Sequence, residues 1–92
     1  MESGIQEMLD EDMKNLVAST MLCFVATINK DSSPNLSPKS SLRVLDDNHL
    51  IFANMASPGT IANLRRDPRI ELNCVDIFSR RGYRFTGKAE LF

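Results

Sequence analysis

The most chemically suggestive stretch of the chain is Ser57-Pro58-Gly59-Thr60. Serine suits the position just before a helix and proline its first turn, so these residues predict a helix N-terminus. Such an end presents backbone N–H groups without intrahelical partners and the positive end of the helix dipole, an arrangement that holds anions. Gly59 lets the backbone approach a ligand closely, the hydroxyls of Ser57 and Thr60 add donors, and Asn63, one turn on, adds an amide. An ordinary capped helix with nothing bound uses the same residues.

A second candidate lies in residues 38–45, which read as a strand. If Leu42 and Val44 face the core, Lys39, Ser41 and Arg43 share the other face in steps of about 6.6–6.8 Å. Two cations and a hydroxyl in a row suit a phosphate or an electron-rich ring edge, and equally an ordinary solvated strand face. His49, the only histidine, sits beside a turn and is expected to be exposed, with no evident partner. Arg65-Arg66, Arg69, Arg80-Arg81 and Arg84 are interleaved with Asp67, Glu71 and Asp76, which argues against a nucleic-acid surface. No carboxylate pair, nucleophile elbow or Walker loop is present, so hydrolase and NTPase chemistry lacks residues to perform it. Cys23 and Cys74 have no companions at metal-ligand spacing, so no metal is expected; they read as reduced, buried, inert thiols of a cytoplasmic protein.

The elements that must position these residues follow from periodicity. Ile5, Met8, Leu9, Met13, Leu16 and Val17 form an apolar stripe that predicts a helix over about residues 5–19, with acidic residues in its first half where the dipole favours them. Leu22, Phe24, Val25, Thr27 and Ile28 predict a largely buried strand, followed by turn residues 30–34 and the strand over 38–45. A third strand is expected over 49–54, completing an antiparallel meander. The short helix after Ser57 stops at Pro68, with Ile61 and Leu64 as its apolar face. Two alternating strands end the chain, Ile70, Leu72 and Cys74 facing inward in one, and Tyr83, Phe85, Gly87, Ala89 and Leu91 in the other. With 92 residues this is one domain, residues 1–92, mainly β with short helices, and closure into a barrel over about 22–92 would remove exposed strand edges. A net charge of −1 gives no general attraction to nucleic acid or anionic membrane, and no apolar run is long enough to span a bilayer. A core this small would gain from dimerisation.

Taken in order, Phe24-Val25-Ala26-Thr27-Ile28-Asn29-Lys30-Asp31, Pro34 to Lys39, Leu50-Ile51-Phe52-Ala53-Asn54, the stretch from Ser57 through Asn63-Leu64-Arg65-Arg66-Asp67-Pro68, and Gly87-Lys88-Ala89-Glu90 resemble the pyridoxamine 5′-phosphate oxidase-like split barrels. The resemblance implies a six-stranded antiparallel split barrel that forms a homodimer and binds FMN at the dimer interface. Carried across by position, it implies that Lys39, Ser40 and Ser41 lie along the flavin, with Arg43 near the end of that segment. It places Ala53 and Asn54 facing the ring and Ser57, Thr60 and Asn63 at the phosphate. It further implies an FMN-dependent oxidoreductase acting on a small molecule, or else a non-catalytic module that carries flavin, haem or deazaflavin. The family's sixth strand and last helix have no counterpart in the sequence, so the barrel is expected to be incomplete at its C-terminal end unless a partner subunit completes it. The basic helix start and C-terminal substrate segment of the oxidases proper are also missing, so pyridoxamine phosphate is not the expected substrate.

Overall fold

The computed structural model describes residues 2–5, 8–20, 22–53 and 58–91. Its elements in chain order are β1 (Glu2–Ile5), α1 (Glu11–Ser19), β2 (Cys23–Ile28), β3 (Pro34–Lys39), β4 (Arg43–Val44), β5 (His49–Ile51), α2 (Pro58–Arg66), β6 (Arg69–Asp76) and β7 (Arg81–Glu90). All strand pairs are antiparallel, in the order β3-β2-β6-β7-β1-β5-β4. The two ends of that order, β3 and β4, are consecutive in the chain and are separated only by residues 40–42. They are two halves of one bent strand, and the sheet curls into a barrel split at that bend.

Four expectations are corrected by this arrangement. The first helix begins at Glu11 and not near residue 5, because Asp10 is its N-cap and accepts a hydrogen bond from the Met13 N–H at 2.8 Å. Residues 2–5 are a strand between β5 and β7, so the position of the sixth barrel strand is filled from within this chain. The strand read over 38–45 is broken at Ser40–Leu42. The third strand is also shorter than read, ending at Ile51.

The hydrophobic pattern explains the remainder. Cys23 and Val25 on β2, Ile70, Leu72 and Cys74 on β6, and Phe85 and Ala89 on β7 point inward and are buried with Leu50 and Phe52. The period-two alternation read in the two last strands is the one observed. Helix α1 adds Leu16 and Val17 to the core and is tied to the barrel by Lys14–Asp47, Arg81–Asp12 and a hydrogen bond from the Tyr83 hydroxyl to Asp12. The Arg81 contact holds the Asp12 carboxyl below its ordinary pKa.

Strand β3 inverts the usual pattern. Its inward residues are polar (Asn35, Ser37 and Lys39), whereas Pro34, Leu36 and Pro38 face outward and are exposed. On β2 beside it, Phe24 also faces outward, with Pro38 as its cross-strand partner. This part of the barrel has a polar inside and an apolar outside.

Candidate functional site

The break between β3 and β4 is fastened to the chain after β5 by the Ser41 side chain. The Ser41 hydroxyl donates to the Ala53 carbonyl at 3.2 Å and accepts from the Ala53 N–H at 3.1 Å. Two of the segments read from the sequence as ligand-binding, residues 39–43 and Ala53, are therefore joined directly. Ser40 lies at the break with its side chain exposed. Asn54 and Ser57 lie outside the described residues.

Lys39, Ser41 and Arg43 do not form the single row that uninterrupted alternation predicts. The break shifts the alternation, so Lys39 and Leu42 both point inward, at 7% and 2% exposure. Burial of Lys39 pushes its ammonium pKa down, since the charged form loses hydration. Arg43 points outward and donates to the Leu42 carbonyl at 2.8 Å. It has no carboxylate within ion-pair distance among the described residues. Next to Lys39 on the inward row, the Ser37 hydroxyl is buried with no hydrogen-bond partner among the described residues.

Helix α2 starts at Pro58, as its sequence predicts, but its barrel-facing side is more polar than expected: Thr60 and Asn63 are buried alongside Leu64, while Ile61 is half-buried. The Asn63 amide donates to Thr27 Oγ1 at 3.0 Å and to Asn29 Oδ1 at 2.9 Å. Its Oδ1 accepts from Arg66 at 3.0 Å, and Arg66 also donates to the Ile28 carbonyl at 2.7 Å. Both donors of the Asn63 amide are thus engaged, and they fasten α2 to the end of β2. On the opposite side the first turn is open: Pro58 and Gly59 are exposed, and a Cβ placed on Gly59 would meet no atom of the described residues within 4 Å. What the helix start can offer is backbone N–H groups without intrahelical partners.

Several other charged residues are committed to structure. Arg69 grips Asp67 through Nε and Nη2, which holds the Asp67 carboxyl down at about 2. Arg84 pairs with Glu71. His49 is half-buried and bonds Asp46 through Nδ1 at 2.8 Å, so the expectation of a partnerless histidine is corrected. A groove of about 320 Å³ lies on the outside of the barrel over Ala26, Ile28, Pro34, Ile70, Glu71 and Thr86, and none of the residues read as ligand-binding lines it. The inward polar row of β3 was the site feature missed from sequence. Its signal was present, since Asn35, Ser37 and Lys39 alternate with Pro34, Leu36 and Pro38.

A split antiparallel barrel closed through one bent strand, with its second helix fastened to β2, defines a class of small barrel proteins. The profile of the pyridoxamine 5′-phosphate oxidase family matches residues 9–92, and the chain belongs to that family. Among solved structures, HupZ from Group A Streptococcus is similar at 36% identity and a TM-score of 0.82, over 90% of this chain and 66% of that one. A Lactobacillus delbrueckii protein provisionally described as a pyridoxamine 5′-phosphate oxidase is similar at 29% identity and a TM-score of 0.84, over 98% of this chain and 74% of that one. A conserved Mycobacterium tuberculosis protein follows at 30% identity and a TM-score of 0.74, over 89% of this chain and 52% of that one. The chain thus spans about two thirds of the length of the first of these structures. No curated protein matches it. No helix among the described residues is long and apolar enough to cross a membrane.

Proposed function

We propose that this protein is an FMN-binding flavoprotein, a homodimer in the cytoplasm, that oxidises or reduces a small molecule. The family match across residues 9–92 carries the proposal. The local geometry is compatible with the cofactor: the first turn of α2 is open at Gly59, and Ser41 holds the β3–β4 bend against Ala53. The backbone N–H groups at the start of α2 would hold the phosphate, with Ser57 and Thr60 at the same turn. Ser40, Ser41, Arg43, Ala53 and Asn54 would line the ring and its side chain. Lys39, buried behind the bend, would supply positive charge near the ring.

When bound, the flavin supplies the redox chemistry, and the protein's part is to orient it and set the local electrostatics. Positive charge from Lys39 and Arg43 favours added electron density on a nearby ring, and burial strengthens the effect by lowering the local dielectric. Asn63, through Thr27 and Asn29, keeps the helix start in fixed relation to the barrel. The exposed apolar face of β2 and β3 is the natural contact for a second copy. The absorbance spectrum of the purified protein, before and after addition of FMN, tests the cofactor. A flavin spectrum that sharpens or shifts in the protein is expected, and one identical to free FMN would contradict the proposal. Bleaching by NADH or NADPH, with return of colour on adding an acceptor, separates an oxidoreductase from a passive flavin carrier.

A further inference from the structure

The two cysteines of this chain are not merely both buried. Cys23 on β2 and Cys74 on β6 are direct cross-strand partners, and their sulfurs lie 2.8 Å apart. Both point into the barrel, at 2% and 0% exposure. Directly opposed residues of an antiparallel pair have Cα atoms about 4.5–5.5 Å apart, inside the range of about 4.4–6.8 Å that a disulfide spans, so no backbone movement is needed to join them.

We propose that Cys23 and Cys74 form a dithiol–disulfide pair, a redox site inside the barrel whose oxidant is hydrogen peroxide. Burial selects for such an oxidant, because a bulky disulfide cannot reach sulfurs this enclosed whereas a peroxide is close to water in size. The hydrogen bond between the sulfurs favours the anion on Cys23 and keeps Cys74 protonated, which designates Cys23 as the first to react. The Cys23 thiolate attacks one peroxide oxygen and the O–O bond breaks. This leaves a sulfenic acid on Cys23 and a hydroxide that takes up a proton to become water. Cys74 then gives up its proton and its sulfur attacks the Cys23 sulfur. The S–O bond breaks, the S–S bond forms, and the hydroxyl leaves with that proton as a second water. Two thiols lose two electrons together, and the peroxide is reduced to two waters. The second step is fast relative to further oxidation because the partner sulfur is already in place.

The bond would link β2 to β6 across a separation of 51 residues, and closing so long a loop restricts the unfolded chain. The test is hydrogen peroxide added to the native protein, followed by denaturation with iodoacetamide and intact-mass and peptide analysis without reductant. The expected result is an unlabelled monomer lighter by two hydrogens, in which the tryptic peptides of residues 15–30 and 70–80 are joined. Tm should rise by at least about 5 °C and return on adding dithiothreitol. Cys74→Ala should instead carry Cys23 on to sulfinic acid with no joined peptides; if that variant fails to fold, peptide mapping of the wild-type protein decides alone. Two alkylated cysteines after peroxide, a sulfinic acid in the wild-type protein, or a link found only between chains would overturn the proposal.

Discussion

Lys39 shows where single side chains carry conflicting demands. An ammonium that is 7% exposed loses most of its hydration, and its lowered pKa records that cost. A methionine there keeps the length and removes the buried charge, so the effect of Lys39→Met is to be read in ligand binding. One hydrogen bond to a charged group contributes about 1.5–3 kcal/mol, and each 1.4 kcal/mol is about tenfold in affinity. FMN should therefore bind at least about tenfold more weakly, measured by flavin fluorescence, and an unchanged Kd would remove Lys39 from the site. The identity of Lys39 as a candidate was legible in the sequence; its inward direction was not. Direction was inferred by counting alternation back from Leu42 and Val44, and a bend between them reverses the count. Asn63 is ambiguous in sequence for a different reason: its position one turn after Thr60 is the same for a phosphate ligand and for a fastener to Thr27.

Helix α2 was the most legible element, because its start and stop are written in residue chemistry: Pro58 at the first turn and Pro68 after the last. The first helix was placed too early because Ile5 and Met8 satisfy helical spacing, while the stronger local signal was Asp10 as a cap followed by Glu11 and Asp12. The strand at residues 2–5 left no pattern to read, since four residues cannot establish a period and its place is set by the gap between β5 and β7. The openness of α2 at Gly59 separates stability from binding. Gly59→Glu replaces a poor helix former and adds an acid where the dipole favours one, together about 1 kcal/mol or slightly more. Tm should hold or rise by several degrees. The same carboxylate stands against any phosphate at the helix start, so FMN affinity should fall at least about tenfold, by titration. Full affinity in a folded Gly59→Glu variant would move the phosphate elsewhere. Thr60 is unsuited to this test, because it is buried at 2% and an acid there would disturb the fold itself.

The whole molecule combines a conventional core with one inverted wall. Leu22, Phe24 and Leu36 stand 49%, 37% and 65% exposed on the outside of β2 and β3, and burying them against a second copy would relieve that exposure. A dimer is therefore expected by light scattering at micromolar concentration. Leu36→Lys, on the outer face of β3, should shift it toward monomer without lowering the monomer's helix and strand content by circular dichroism. A wild-type protein that is monomeric with FMN present would contradict the dimer. The split barrel itself was legible because alternation in the last two strands and turn chemistry between the first three are local signals. The closure was not, because it depends on a bend in one strand and on which residues fill the last gap.

The most direct measurement is the affinity of the purified protein for FMN against riboflavin, by quenching of flavin fluorescence. The two ligands share the ring and differ by the phosphate, so the ratio reports the helix start alone. Loss of two hydrogen bonds to a charged group, each about 1.5–3 kcal/mol, predicts at least about a hundredfold preference for FMN. Equal affinity for the two, or no quenching of either, would contradict a phosphate held at the start of α2.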